Sequence, residues 1–99
     1  METGHDIGWA VAQMRKGKKV QRSWWCDMWI VLMPELTLPP HNTQGTDRKV
    51  NDWTAKYIGN DTPLESMPYV AMWNAHKKWQ PGWVCRQEDL LADDWQLAD

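Results

Sequence analysis

The chain contains nine tryptophans and no phenylalanine among its 99 residues. A core that only needed filling would use Phe, Leu and Ile, because a buried indole N–H must find a hydrogen-bond partner. Each indole also offers a flat face that stacks on a nucleobase, worth about 1–3 kcal/mol per base, and one N–H donor at its edge. The tryptophans therefore indicate either a nucleotide-binding surface or a small core combined with an oligomer interface, where Trp and Met concentrate.

The length of the chain limits how much surface it can bury. We predict a single domain, residues 1–99, and a chain this short buries only about 60–70% of the surface that its unfolded form exposes. The mean hydropathy of -0.70 and the lack of a long apolar run predict no membrane span. The first residues have neither the basic nor the apolar region of a secretory signal, so we expect a cytoplasmic protein whose Cys26 and Cys85 are free thiols.

The formal net charge of -2 argues against binding to DNA or RNA, because domains that do so usually carry a basic excess. The charge is unevenly placed. Residues 1–50 hold seven Lys and Arg against five acids, and residues 51–99 hold four against eight. This asymmetry indicates self-association or a small ligand of mixed polarity. The basic stretch 15–22 is better explained as the solvated end of a helix than as a phosphate site.

The N-terminal third predicts one amphipathic helix followed by a hairpin. Asp6 is a suitable N-cap and Gly17 a suitable stop, with apolar residues at helical spacing between them. Segments 20–22 and 24–33 are rich in residues that favour strands, and Asp27 marks a turn. We expect two antiparallel strands here.

The segment 35–66 is rich in Pro, Gly and Asn and is predicted to be an insertion. Within it, apolar residues recur at helical spacing between Asp47 and Gly59, so we place a short helix there. An insertion of this kind can cover a pocket.

The C-terminal third predicts a second hairpin, a short helix and a last strand. Tyr69–Trp73 is followed by a turn and by a strand that begins at Trp79; segment 86–92 is helical, and 95–98 returns as a strand. The whole is an α+β fold, a small antiparallel sheet with an N-terminal helix packed on one face and a helical insertion.

No residue pattern predicts catalysis. The candidate nucleophiles are Ser23, Cys26, Ser66 and Cys85. No local motif joins any of them to a histidine, and Asp93 with Asp94 is more simply a solvated turn. The cysteines and histidines lack metal-binding spacing. We therefore expect no enzyme activity, no metal and no cofactor.

Two segments resemble the Thoeris anti-defence family of the second type, a phage and prophage family. The first is the run from Gly17 through Arg22 to Trp25 that follows the opening helix. The second is the C-terminal motif, matched here by Trp83, Gln87, Asp89, Leu91, Ala92, Asp94 and Trp95. The family's proline stands here as Pro81, followed by an additional Gly82. The resemblance covers about residues 6–34 and 67–98.

The resemblance implies a molecular sponge that acts in the host bacterial cell. Members bind, without cleaving, cyclic ADP-ribose-derived signals of Thoeris immunity, and some also hold cyclic oligonucleotide signals. They are homotetramers whose ligand pockets lie between protomers. The implied partners are therefore a cyclic nucleotide and further copies of the same chain, with no nucleic acid and no membrane.

A cyclic adenine nucleotide needs aromatic faces, acceptors for hydroxyl and amino groups, and donors for phosphates. We predict these ligand-binding residues: Trp25 and Trp83 as the faces, Gln87 and Asp89 as the polar contacts, and Arg22 or Arg86 as the phosphate donors. Trp95 and Leu91 are predicted to be core. Asp94 is equally suited to capping a turn and to touching ligand.

The chain departs from the family pattern at two places. Cys85 and Arg86 stand where the family often has Ala-Ser, and the insertion is longer than in compact members. Both changes alter the expected ligand preference more than the expected class of function. The alternatives are a Trp-rich protein-interaction or scaffold module and an enzyme that degrades such a signal.

Overall fold

The computed structural model describes residues 4–99. It divides the chain into two compact units. One unit comprises the chain up to Met33 together with Tyr69–Asp99, and the other comprises Pro34–Pro68. Within residues 4–99, no helix is both long and apolar enough to cross a membrane.

The first unit opens with helix α1, Ile7–Arg15. Asp6 caps it, because its carboxylate accepts a hydrogen bond from the backbone N–H of Trp9 at 2.9 Å. The helix ends at Arg15, with Lys16 as its C-cap. Gly17 follows with a φ of +82°, in the left-handed region that L side chains rarely adopt. Both ends of this helix are where the sequence predicts them.

The remaining chain of the first unit forms a five-stranded antiparallel sheet in the order β6-β5-β2-β1-β7. Its strands are β1 (Val20–Arg22), β2 (Trp29–Met33), β5 (Tyr69–Trp73), β6 (Trp79–Pro81) and β7 (Trp95–Leu97). A four-residue helix, α3 (Gln87–Leu90), lies between the last two strands. Both predicted hairpins are present, and the last strand pairs with the first.

Helix α1 packs against β7, β1 and β2. The core lies between the helix and that face of the sheet, and its buried residues are Ala10, Met14, Val20, Trp25, Ile30, Met72 and Trp95. The predicted α+β class, with a helix on one face of an antiparallel sheet, is confirmed.

The second unit combines a helix with a two-stranded sheet. Helix α2 (Asp52–Ile58) begins at its N-cap Asn51, whose side chain accepts from the Thr54 N–H at 2.8 Å. Strands β3 (Leu36–Leu38) and β4 (Leu64–Ser66) pair in antiparallel register. The predicted helix is confirmed, whereas the small sheet was not predicted, because three-residue strands leave too short a pattern to recognise.

One core prediction is wrong. Leu91 is 72% exposed, whereas Trp95 is fully buried as expected. Leu91 immediately follows the last residue of the short helix α3 and is its C-cap, and at this position its side chain lies at the surface.

Candidate functional site

Three tryptophans form a compact cluster on the core side of the sheet. The rings of Trp25 and Trp95 lie 5.5 Å apart at 79°, and Trp83 meets each of them at 6.3 Å, also edge to face. This is a favourable arrangement for aromatic quadrupoles. Trp95 is fully buried, Trp25 is 6% exposed and Trp83 is half-buried, so Trp83 is the ring of the three that is open to solvent.

The cluster is held in place by the chain on either side of it. The backbone N–H of Trp83 donates to the carbonyl of Val70 in β5 at 2.7 Å. The indole N–H of Trp95 donates to the carbonyl of Asp89 in α3 at 3.0 Å, which satisfies a donor that would otherwise be buried alone. The loop after β6 is thereby tied to β5, and helix α3 to strand β7.

A cavity of about 160 Å³ opens beside this cluster. Four of the predicted binding residues line it: Trp25, Trp83, Arg86 and Asp89. The rest of its wall consists of Trp24, Met28, Met72 and Glu88. Residues of the β1–β2 loop, of β5 and of the C-terminal segment therefore meet at one place.

Arg22, the other predicted phosphate donor, is occupied by carboxylates. Its Nε lies 2.5 Å from Oδ1 of Asp94, and its Nη1 lies 2.6 Å from Oδ1 of Asp89. The Arg22 and Asp89 side chains are only 12% and 6% exposed. Ser23 donates to the other oxygen of Asp94 at 2.7 Å. The three charged groups together carry one net negative charge, which does not favour a phosphate beside Arg22.

These contacts change the pKa values of the groups that make them. Burial opposes the charge of Asp94, but hydrogen bonds from Arg22 and Ser23 and the Arg22 charge outweigh it and hold the pKa of Asp94 below its ordinary value. Burial likewise acts against the charge of Arg22, and its two carboxylate partners raise its pKa further above the usual range. Partial desolvation and the negative charge of Asp89 raise the pKa of the Cys85 thiol.

The other two predicted residues differ in position. Gln87 is exposed and is not among the residues that line the cavity. Arg86 lies on the cavity wall, and its guanidinium forms a 3.3 Å contact with Glu88 in which both side chains are largely exposed. An exposed pair of this kind is weak, so Arg86 is available to another anion.

Four residues that line the cavity were not predicted from the sequence: Trp24, Met28, Met72 and Glu88. Trp24 is adjacent to the predicted Trp25, and its ring meets that of Trp25 edge to face at 6.2 Å. The adjacent pair of tryptophans in this loop could have indicated that Trp24 also lies on the cavity wall. Met28 and Met72 gave no such signal, because an apolar residue that lines a cavity looks the same in sequence as one that fills a core.

A second, larger cavity of about 420 Å³ lies elsewhere on the same unit. Its walls include Trp29, Trp73, Asp27 and Lys77, and none of the six predicted residues is among them. Trp29 and Trp73 stack with their rings 6.0 Å apart and 16° from parallel. The first cavity is the better candidate despite its smaller volume, because it combines aromatic walls, a buried carboxylate and an arginine.

The first cavity offers indole faces, carboxylate acceptors and one arginine. No histidine is among the described residues that line it. In residues 4–99, no three His, Cys, Asp or Glu side chains are grouped so as to hold a metal ion.

Comparison with known protein families identifies the family of the chain. It belongs to the Thoeris anti-defense 2-like domain family, whose model matches residues 5–98. No curated protein matches the chain. The family is an anti-defence family, so the role of the protein is anti-defence, and the resemblance inferred from the two sequence segments is confirmed.

Proposed function

We propose that the protein is a sponge that binds and sequesters, without cleaving it, a cyclic ADP-ribose-derived or cyclic oligonucleotide immune signal. The observation that carries the proposal is the cavity at which Trp83, Asp89 and Arg86 meet. Each supplies one of the three contacts that a cyclic nucleotide requires, namely a face for the base, an acceptor for hydroxyl or amino groups, and a donor for phosphate.

The accessibility of each residue suggests how the ligand lies. Trp83 is half-buried and presents a ring to the cavity, so the base stacks on it, while Trp25 supports that ring from behind. Asp89, whose carboxylate is fixed, accepts from hydroxyl or amino groups. Phosphates lie at the exposed rim, where Arg86 is available. Gln87 remains a candidate for a contact near that rim.

The size of the cavity suggests that a second copy of the chain completes it. A volume of about 160 Å³ is small beside the roughly 300–1,000 Å³ of typical ligand pockets. We propose a homotetramer in which the pocket lies between protomers, because closed symmetric association would also cover exposed aromatic surface. Light scattering that gives the mass of a monomer at micromolar concentration would contradict the tetramer and the shared pocket.

The test of sequestration is recovery of the ligand. The purified protein is incubated with a cyclic ADP-ribose-derived signal from a Thoeris enzyme, or with cyclic di-AMP, then filtered and heat-denatured. We expect intact nucleotide to be retained with the protein and released unchanged. Release of an altered nucleotide would instead support an enzyme. Retention of neither nucleotide would favour the scaffold module.

One observation favours the scaffold alternative. Trp53 and Tyr57 lie one turn apart on α2 and are 73% and 71% exposed, with the Lys56 ammonium within 6 Å of both rings at 5.7 and 5.6 Å. Exposed aromatic pairs mark protein interfaces as well as nucleotide sites. Trp53→Ala combined with Tyr57→Ala leaves nucleotide capture unchanged if the cavity is the binding site.

A further inference from the structure

The guanidinium of Arg22 joins parts of the first unit that are remote in sequence. Arg22 lies in β1, and its two carboxylate partners stand 67 and 72 residues further along the chain. Its Nη1 also approaches the backbone carbonyl of Glu88 at 3.5 Å. Since three of its contacts go to the segment 88–94, Arg22 connects strand β1 to α3 and to the turn that follows it.

Helix α3 needs such a connection. It has only four residues, and its N-cap Arg86 makes no side-chain capping hydrogen bond. A single helical turn is not stable by itself, because fixing its backbone costs more than its few hydrogen bonds return. Its position therefore depends on contacts at Asp89, whose carboxylate meets Arg22 and whose carbonyl accepts from the Trp95 indole.

The Asp89 carboxylate has one oxygen left for another partner. Oδ1 accepts from Arg22, whereas Oδ2 accepts no hydrogen bond from any residue that the structure describes. The side chain is 94% buried and belongs to a residue on the cavity wall. A carboxylate oxygen in that position accepts hydrogen bonds and repels phosphate.

We propose that Arg22 is a positioning residue: it does not contact the phosphates of the ligand but holds Asp89 so that Oδ2 accepts from a hydroxyl or amino group of the ligand. This inference rests on the proposed sponge function. It corrects the expectation that Arg22 is a phosphate donor and leaves that role to Arg86. It also sets the orientation of the ligand, with sugar or base toward Asp89 and phosphate toward the rim.

The first experiment needs no ligand. Hydrogen exchange of the Trp95 indole N–H is measured by NMR in the wild type, in Arg22→Met and in Arg22→Lys, with Arg15→Met as the matched control because Arg15 is exposed on α1. We expect faster exchange in Arg22→Met, a smaller change in Arg22→Lys and none in Arg15→Met. Unchanged exchange in Arg22→Met would overturn the role of Arg22 in holding α3.

The second experiment is a double-mutant cycle on nucleotide binding. Arg22→Met and Asp89→Asn are each expected to weaken binding of the cyclic ADP-ribose-derived signal or of cyclic di-AMP by about 10-fold or more. The double variant is expected to bind no more weakly than Asp89→Asn alone, because Arg22 acts through Asp89. If the losses of affinity in the two single variants multiply in the double variant, Arg22 acts independently of Asp89 and the proposal is overturned.

Salt dependence separates positioning from phosphate contact. Loss of a direct phosphate contact reduces the dependence of affinity on ionic strength, because screening then has one fewer charge pair to weaken. We expect this reduction in Arg86→Met and not in Arg22→Lys or Arg22→Met. If Arg22→Met does not fold, the double-mutant cycle is made with Arg22→Lys and Asp89→Asn.

The outcomes also separate this proposal from the proposed function. If the wild type binds neither nucleotide, the proposed function and the ligand role of Asp89 are overturned. The exchange measurement would still decide whether Arg22 holds α3.

Discussion

Two groups of three tryptophans use the same residue in different ways. On the core side, Trp25, Trp83 and Trp95 meet edge to face. On the other face of the sheet, Trp29, Trp73 and Trp79 lie side by side on neighbouring strands. The first group is fixed by an indole hydrogen bond and adjoins a buried ion-pair network. The second is placed by strand register and ring contact, with a cation–π contact from Lys19 to Trp29.

The placement of the second group follows from strand pairing. Side chains alternate between the faces of a strand, so Trp29 points away from the face on which its neighbour Ile30 enters the core. Trp73 is the direct partner of both Trp29 and Trp79. Cross-strand pairs of this kind stabilise a sheet modestly. The difference indicates that the tryptophans beside the proposed binding site are those whose surrounding chain is held by polar contacts.

The largest difference between the groups is expected in stability. Trp95→Ala removes a fully buried indole and should lower the free energy of unfolding by about 3–5 kcal/mol. Trp73→Ala should cost clearly less, because Trp73 is only half-buried. Urea denaturation measures both, with the exposed Trp53→Ala as the control. Equal losses for Trp95→Ala and Trp73→Ala would mean that both faces of the sheet are core.

The second largest difference between the two tryptophan groups is expected in the affinity for nucleotide. Trp83→Ala is expected to weaken nucleotide binding by about 10- to 100-fold, because stacking of one base is worth about 1–3 kcal/mol. Trp73→Ala should leave the affinity unchanged. Isothermal titration calorimetry on folded variants makes the measurement. The opposite result, with loss only in Trp73→Ala, would locate the ligand in the larger cavity on the other face.

The ion-pair network should make stability depend on acid pH. Because the pKa of Asp94 is lower in the folded chain than in the unfolded one, its contribution is complete above the unfolded value of about 3.9 and is lost as the pH falls through the folded value. We expect wild type to be more stable than Asp94→Asn at pH 6, with the difference shrinking below about pH 4. A difference that stays constant down to pH 2 would contradict the ionic role of Asp94.

The smallest effect on stability is expected on the face of the sheet that carries Trp29. The ammonium of Lys19 lies 5.1 Å from the centre of the Trp29 ring, a cation–π contact worth about 0.5–1 kcal/mol at a surface. Lys19→Met should lower the unfolding free energy by no more than that and should not alter nucleotide binding. The exposed Lys18→Met is the matched control. A large loss of binding in Lys19→Met alone would assign a ligand to this face.

Local patterns were sufficient to predict most of the fold. The cap at Asp6 and the stop signal at Gly17 bound α1 correctly, and segments rich in strand-favouring residues, separated by turn residues, located the strands of the main sheet. The pairing of β3 with β4 was not predicted, because each strand has only three residues. Leu91 was predicted to be core, but it is the C-cap that follows the four-residue helix α3, and its side chain is exposed.

The site was predictable only in part, for a physical reason. The resemblance to the anti-defence family led to Trp83, Arg86 and Asp89 as candidate ligand-binding residues, and the structure brings them to one cavity. The partners of Arg22 lie far along the chain, so no local pattern reveals that its charge is already matched. The chemistry of an arginine depends on what surrounds it, and that information lies in the tertiary structure.

On the proposed function, the protein silences an immune signal by holding it. The direct test is a titration of protein against a fixed amount of cyclic ADP-ribose-derived signal, followed by boiling and assay of the nucleotide. Sequestration predicts that free signal falls in proportion to added protein up to a sharp equivalence point, and that boiling returns all of it unchanged. Disappearance of the signal at substoichiometric protein, with none recovered after boiling, would contradict the account and identify an enzyme.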